Sequence, residues 1–169
     1  MNDLIPLYRE MAATGTQFRG TSILQHKDQI GKLIRLNNVR TLLDYGCGAG
    51  DAYKSPHKLW HEWGLKRPDV TLYDPAFEEH DKLPGKRFDM VIASDVLEHV
   101  PEADVDATVK QLFALSRTLV WASVCTRLAK KTFPQTGENL HVCVRPYQWW
   151  LDTFSGHAGD KDFVLVETP

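Results

Sequence analysis

Cysteine, charge imbalance and long apolar runs are all scarce in this sequence of 169 residues. Its three cysteines, Cys47, Cys125 and Cys143, form no C-x-x-C pair, which argues against a disulfide framework or a zinc site and favours a reducing compartment. The formal net charge of -2 offers no electrostatic case for a nucleic-acid or membrane partner. No apolar run approaches the roughly 20 residues of a membrane-spanning helix, and residues 1–10 show no signal-peptide pattern. We therefore expect a soluble, cytoplasmic protein.

Repeats and low-complexity segments are also absent, and the length suits one domain. Apolar stretches alternate with segments of helical periodicity, which predicts an α/β domain with a single Rossmann-like sheet and helices on both faces. Residues 88–94 are mostly apolar, as expected for a strand covered on both faces. The predicted strands cover residues 39–45, 70–74, 88–94, 117–124, 140–144 and 163–166, and the predicted helices cover residues 4–11, 22–36, 102–116 and 146–156, with a short one from Ser55-Pro56 to residue 63.

A glycine-rich loop, residues 46–50, separates the strand ending in Asp44-Tyr45 from the helical segment that follows. Glycine lets the backbone turn tightly and lets a ligand approach it closely. Asp74, at the end of the next predicted strand, lies 24 residues beyond Gly50, and a carboxylate there can accept hydrogen bonds from both hydroxyls of a ribose. The combination predicts a site for a nucleotide-like cofactor, whereas the loop alone is also compatible with a simple tight turn.

Two segments resemble motifs of class I S-adenosylmethionine (SAM)-dependent methyltransferases. Residues 41–50, Thr-Leu-Leu-Asp-Tyr-Gly-Cys-Gly-Ala-Gly, resemble their first motif, apolar-apolar-Asp-x-Gly-x-Gly-x-Gly. Residues 88–100 resemble their fourth-strand motif, and the Leu-Glu-His-Val ending is similar to small-molecule enzymes of the ubiquinone and menaquinone type. The family normally has a helix and a third strand between the positions of Asp74 and Phe88, where this chain has thirteen residues. The resemblance implies a minimal class I fold, shortened between the second and fourth strands.

The resemblance also implies that the cofactor is SAM and suggests its contacts. Gly46 and Gly48 would pack against the aminoacyl end of SAM, and Asp44 would orient the loop and reach the amino group. Asp74 would hold the ribose hydroxyls, with Pro75 near the adenine. The full set of expected cofactor-binding residues is Asp44, Gly46, Cys47, Gly48, Gly50, Asp74, Pro75, Ser94 and Asp95.

His99 and His141 are the candidate catalytic residues. His99 follows the fourth-strand motif, at the edge where ligands bind in such sheets, although it could instead only tie down the loop. The resemblance to ubiquinone-type enzymes, some of which hold a divalent ion at matching positions, implies that Asp95, Glu98 and His99 could do the same. Neighbours in sequence need not face one site, however, and we expect no metal. His141 lies in a segment similar to the part of several small methyltransferases that folds over the acceptor; a surface hairpin is the alternative.

The sequence thus favours one domain with an N-terminal helical cover (1–38), a cofactor-binding core (39–124) and an acceptor-side part (125–169). The expected function is methyl transfer from SAM to a small or exposed acceptor, with a small molecule favoured as that acceptor. A SAM-binding module without transferase activity and a nicotinamide-dependent oxidoreductase are the alternatives. Residues 93–96, Ala-Ser-Asp-Val, stand where amino-directed DNA methyltransferases have an Asp/Asn-Pro-Pro-aromatic motif, so we expect no duplex nucleic acid as substrate. The shortness of the apolar runs leads us to expect no membrane partner either. The oligomeric state is left open.

Overall fold

Parallel strands form one sheet in the computed structural model, which describes residues 4–168. Every pairing between neighbouring strands is parallel, and the strand order is β2-β1-β3-β4-β5. This arrangement confirms the predicted α/β fold with a Rossmann-like sheet. The strands are β1 (Leu42–Tyr45), β2 (Val70–Tyr73), β3 (Phe88–Ser94), β4 (Ser116–Cys125) and β5 (Asp162–Thr168).

Helices cover both faces of the sheet, as predicted. Successive residues of a strand point to opposite faces, so Leu42 packs with Ile30 on the side of α2, while Leu43 packs with Val109 on the side of α4. All four side chains are fully buried. Each face is therefore closed by its own apolar layer. The helices are α1 (Ile5–Ala13), α2 (Lys27–Leu36), α3 (Leu59–Glu62), α4 (Glu102–Leu115) and α5 (Tyr147–Ala158), and a 3-10 turn at Ser22–His26 leads into α2.

A third apolar cluster lies outside these two layers. It joins Tyr8 and Met11 of α1 to Phe133 and Leu140 of the long loop after β4. The rings of Tyr8 and Phe133 meet edge to face, with their centroids 5.0 Å apart. Through this cluster, α1 is held over the carboxyl ends of the strands.

The helix expected to start at Ser55-Pro56 begins instead at Leu59 and makes one turn. The residue before it, Lys58, has a φ of 46°. An α-helix cannot continue through that left-handed conformation, so residues 55–57 are excluded from it. The capping prediction at Ser55-Pro56 was wrong for this reason.

The strand expected over residues 140–144 does not form. Its backbone groups bind neighbours on other elements: the Leu140 carbonyl accepts from the Tyr8 hydroxyl, and the Cys143 N–H donates to the Glu98 carbonyl. Because these partners lie on α1 and on the turn after β3, the segment crosses the edge of the sheet and does not join it.

The interval between β2 and β3 contains turns, with neither helix nor strand over residues 75–87. The predicted shortening is therefore confirmed, and β2 forms an edge of the sheet. Within residues 4–168, every helix falls short of the length and apolar character needed to span a membrane.

Candidate active site

A cavity of about 730 Å³ opens at the carboxyl ends of β1, β2 and β3. This edge of an open parallel sheet is where ligands bind, and the volume lies within the range of about 300–1,000 Å³ typical of ligand sites. Its wall comes from α1, the glycine loop, the turns after β2, the turn after β3 and one face of α4.

The glycine loop on this wall requires glycine for its conformation and for its packing. Gly46 and Gly48 have φ values of 83° and 56°. A Cβ added to Gly46 would lie 2.3 Å from Cγ2 of Val96, and one added to Gly48 would lie 2.2 Å from the carbonyl oxygen of Phe18. Larger residues would therefore push the loop away from both neighbours.

The carboxylate of Asp74 ties the glycine loop to the end of β2. Its Oδ2 accepts the Gly48 N–H at 2.8 Å, and its Oδ1 accepts the Ala76 N–H at 2.8 Å. Burial raises the pKa of Asp74, and the two amides oppose that effect. A carboxylate has about four acceptor positions, so Asp74, which lines the cavity, can accept two further hydrogen bonds.

Three of the expected cofactor residues lie off the cavity wall, as it is formed by residues 4–168. Asp44 is only 3% exposed, and burial raises its pKa to about 7. Cys47 is buried, which raises the pKa of its thiol. Gly50 has a φ of 68° and packs against Leu72. These residues support the loop from within the protein, and a direct contact between them and a ligand stays a prediction.

The end of β3 and the turn that follows it bring Ser94 and Asp95 to the wall. Asp95 adopts a φ of 53°, and its Oδ1 accepts hydrogen bonds from the hydroxyls of Ser123 at 2.7 Å and Thr168 at 3.2 Å. The Ser94 hydroxyl lies 3.3 Å from that of Ser22. The ends of β3, β4 and β5 are thus joined by a polar network next to the cavity.

His99 lines the cavity in a defined neutral form. Its Nδ1 lies 2.9 Å from the carbonyl oxygen of Leu140, which can only accept, so Nδ1 carries the proton and Nε2 keeps a lone pair. Burial, assisted by the neighbouring His141, lowers the pKa of His99 to about 4. The hydroxyl of Tyr8 donates to the same Leu140 oxygen at 3.0 Å and holds this arrangement from α1.

His141 lies beside His99, away from the cavity wall described by residues 4–168. The two ring centroids are 5.0 Å apart, and Nδ1 of His141 lies 2.6 Å from the carbonyl oxygen of Arg127. A carbonyl accepts here too, so the proton of a neutral His141 is on Nδ1. A catalytic role for His141 stays a prediction, and this position would make it indirect.

Asp95, Glu98 and His99 turn toward different partners. Glu98 is fully buried; its Oε1 accepts the Cys125 N–H at 3.0 Å, and its Oε2 has no hydrogen-bond partner among residues 4–168. Burial, with Asp95 adding to it, raises the pKa of Glu98 to about 8. In the part of the chain that the structure describes, no three His, Cys, Asp or Glu side chains form a potential metal site.

Several wall residues lie outside the motifs by which the sequence indicates the site. Tyr8 and Arg9 come from α1, far from the motifs in sequence. Tyr45 and Tyr73 end adjacent strands, a position that could have indicated them. A stripe on α4, spaced like one face of a helix, completes the wall. This stripe consists of Asp104, Ala107, Thr108 and Gln111.

A family model described as a methyltransferase domain matches residues 18–158, well over half of the chain. The match includes the glycine loop, β1 to β4 and α2 to α5, and leaves α1 and β5 outside. No curated protein and no solved structure matches the chain.

Proposed function

Because the chain belongs to the class I SAM-dependent methyltransferase family, we propose that it transfers a methyl group from SAM to a small-molecule acceptor. One observation carries the proposal: most of the expected cofactor residues and one expected catalytic residue meet at a single cavity. These wall residues are Gly46, Gly48, Asp74, Pro75, Ser94, Asp95 and His99.

The charge of the wall fits SAM, whose sulfonium and ammonium groups outweigh its carboxylate. Four carboxylates line the cavity, whereas Arg9 is the one Arg or Lys on the wall formed by residues 4–168. That guanidinium is already paired with Asp81 at 3.2 Å. A net negative wall attracts a cationic ligand and disfavours an anionic acceptor.

The residues of the site would mainly bind and align. SAM supplies an activated methyl group when bound, so the protein contributes proximity and orientation. Gly46 and Gly48 allow close approach, and Asp74 offers two free acceptor positions for ribose hydroxyls. Asp44, Cys47 and Gly50 would act by holding the loop in place. Membership of the family, the cavity and these acceptors support the assignment.

His99 would act as a base toward the methyl acceptor, taking up its proton where that group has to be deprotonated for methyl transfer. Its Nδ1 proton is engaged by Leu140, so the lone pair of Nε2 lies on the other side of the ring. His141, whose ring is 5.0 Å away, would assist through His99. A His99→Gln variant should lose most methyl transfer and keep its affinity for SAM within about threefold, since it removes a base and leaves the cofactor contacts in place.

Isothermal titration calorimetry with SAM and with S-adenosylhomocysteine tests the proposal. Both should bind with one site per chain. An Asp160→Ala control, at an exposed position far from the cavity in sequence, should bind as the wild type does. Absence of heat at millimolar ligand, with the protein shown to be folded by circular dichroism, would refute cofactor binding.

A SAM-binding module without transfer is the second candidate, because residues 75–87 form neither helix nor strand beside the cavity. Incubation with methyl-labelled SAM and a panel of hydroxylated aromatics, amines and thiols distinguishes the two. Labelled product supports the enzyme, whereas binding without product across the panel favours the module.

A further inference from the structure

Three aromatic rings meet on one part of the cavity wall. Tyr8, Phe18 and His99 each meet the other two edge to face, with ring centroids 5.5 to 6.2 Å apart. The same part adjoins the glycine loop, because the Phe18 carbonyl oxygen would lie 2.2 Å from a Cβ on Gly48. We expect the aminoacyl end of SAM at that loop, and the methyl-bearing sulfur is attached to that end. The methyl acceptor should therefore lie beside these rings, which suit a flat apolar body.

Asp95 lines the cavity in a constrained conformation. Its φ of 53° lies in the left-handed region, which Asp and Asn enter more readily than most residues. The Ser123 hydroxyl holds it there, accepting the Asp95 N–H at 3.0 Å and donating to Oδ1 at 2.7 Å. Oδ1 also accepts from Thr168, whereas Oδ2 has no hydrogen-bond partner among residues 4–168. One carboxylate oxygen is thus left for a ligand.

The charges around this part of the cavity oppose an anionic acceptor. On the wall formed by residues 4–168, Arg9 is the one Arg or Lys, and it is paired with Asp81. A carboxylate such as that of Asp95 raises the pKa of a neighbouring phenol or thiol, and so opposes its ionisation. The same carboxylate accepts a hydrogen bond from an N–H group and stabilises positive charge that forms on the nitrogen.

The low pKa of His99 narrows the choice of nucleophile further. Burial, with His141 adding to it, lowers that pKa to about 4, so the ring is a weak base. It does not take a proton from a phenol or an alkylammonium group, whose pKa values in Tyr and Lys are about 10. An arylamine is uncharged near neutral pH and already has a lone pair. Its N–H becomes strongly acidic only as the N–C bond forms, when a weak base suffices.

Resting on the proposed function, we propose that the methyl acceptor is an arylamine, a small molecule with an uncharged amino group on an aromatic ring. The amino N–H would donate to Oδ2 of Asp95, and the aromatic body would pack against the rings of Tyr8 and Phe18. Asp95 would then serve the acceptor, and the other wall residues would hold the cofactor.

The reaction balances with the groups on this wall. The lone pair of the amine nitrogen forms the new N–C bond as the S–C bond of SAM breaks, and the electron pair of that bond stays on sulfur. One N–H proton passes to Nε2 of His99, which becomes an imidazolium and later releases the proton to water. The products are a neutral N-methyl arylamine and an uncharged thioether. Asp95 stabilises the positive charge while it lies on the nitrogen.

Three phenols that differ in a second group test the proposal in the wild type. The compounds 3-aminophenol, tyramine and 3-hydroxybenzoate add an arylamine, an alkylammonium and a carboxylate to the same phenol. With methyl-labelled SAM, 3-aminophenol should be labelled on nitrogen, with a kcat/KM at least about tenfold above that of the other two. Mass spectrometry locates the label. In calorimetry, with and without S-adenosylhomocysteine, 3-aminophenol should bind at least about tenfold more tightly than 3-hydroxybenzoate.

An Asp95→Asn variant tests the assigned carboxylate. Asparagine also enters the left-handed region, and its amide oxygen can accept from Ser123 and Thr168, so the turn should be kept. The donor Nδ2 would then stand where Oδ2 was. Affinity and kcat/KM for 3-aminophenol should fall about tenfold, while affinity for S-adenosylhomocysteine stays within about threefold. Asp160→Asn, in the exposed turn before β5, is the matched control and should change neither value.

The outcomes separate this proposal from the function on which it rests. If the wild type binds no SAM, or binds it and methylates neither these compounds nor the wider panel, the proposed function fails. If acceptor oxygen or sulfur is labelled in preference to nitrogen, or tyramine reacts as readily as 3-aminophenol, the arylamine assignment alone is overturned. Equal losses of affinity for 3-aminophenol and S-adenosylhomocysteine in Asp95→Asn would place Asp95 at the cofactor and overturn its role. The position of the label in the wild type decides the question if that variant does not fold.

Discussion

The two sides of the cavity are built in different ways. The sheet side, formed by the turns that follow β1, β2 and β3, is held largely by backbone amides, such as those of Gly48 and Ala76 on the Asp74 carboxylate. The cover side, formed by α1, is held by side chains, with the Tyr8 hydroxyl on Leu140 and its ring against Phe133. The sheet side should therefore be rigid and intolerant of change, and the cover side adjustable.

A Gly48→Ala change should have the largest effect on stability, because it alters the sheet side at a point where two backbone segments are in direct contact. The new Cβ would lie 2.2 Å from the Phe18 carbonyl oxygen, at a φ of 56°. We expect a loss of about 3 kcal/mol in the free energy of unfolding, combining the conformational cost with overpacking. Urea denaturation measures it. At Gly85, no atom of residues 4–168 outside its chain neighbours lies within 4 Å of an added Cβ, so Gly85→Ala should change stability by less than about 0.5 kcal/mol. Equal losses of stability in the Gly48 and Gly85 variants would contradict the view that the sheet side is intolerant of change.

Glu98 lies on the sheet side, in the turn after β3. Its carboxyl accepts from the Cys125 N–H in β4, and its carbonyl accepts from the Cys143 N–H in the loop over residues 140–144. Its folded-state pKa of about 8 exceeds the ordinary value of 4.5. The folded state therefore keeps a proton that the unfolded state releases between these pH values, and stability falls as pH rises through that window.

A Glu98→Gln variant does not titrate and should escape this loss. Relative to the wild type, its free energy of unfolding should rise by about 2 kcal/mol between pH 5 and pH 8. Urea denaturation at both pH values measures the difference. If the two proteins differ in free energy of unfolding by the same amount at pH 5 and at pH 8, Glu98 does not retain its proton in the folded state.

A Tyr8→Phe change tests the cover side alone. It removes the hydroxyl that donates to Leu140 and should cost about 1 kcal/mol in stability. Affinity for S-adenosylhomocysteine should stay within about twofold, while methyl transfer should fall further, because His99 shares that carbonyl.

Tyr147→Phe, on α5, is the matched control, because it removes a hydroxyl that donates to the Leu165 carbonyl of β5 at 2.9 Å. Thermal unfolding should show a similar loss for both variants, with methyl transfer reduced only by Tyr8→Phe. If Tyr8→Phe abolished cofactor binding, then the ability of the sheet side to bind the cofactor would depend on the cover side.

This division also explains which features the sequence could predict. The glycine loop, Asp74 and the β3 turn are local patterns at strand ends, and parallel pairing brings such ends to one edge. Tyr8 reaches Leu140 across more than a hundred residues, so no local pattern marks it. The same long-range contacts explain why residues 140–144, extended and apolar, do not form a strand: their backbone groups find partners on α1 and beside His99.

Arg9→Ala should have the smallest effect on stability. It is also the most direct test of whether the sheet side and the cover side of the cavity are independent. Arg9 links the two sides directly, donating to the Pro75 carbonyl at 2.9 Å and pairing with Asp81 at 3.2 Å. Its side chain is 51% exposed, so its loss should cost at most about 0.5 kcal/mol. Arg117→Ala removes an ion pair of the same length and similar exposure, with Asp89 at the opposite end of the sheet, and should cost the same.

The two arginine variants should differ in ligand affinity alone. Because Arg9 positions Pro75 next to the cavity, its loss should weaken S-adenosylhomocysteine binding by about two- to threefold in calorimetry, whereas Arg117→Ala should leave it unchanged. A change of tenfold or more with Arg9→Ala would mean that the cover side organises the cofactor contacts as strongly as the backbone amides do. Identical affinities for both variants would mean that the turns after β2 keep their position without α1.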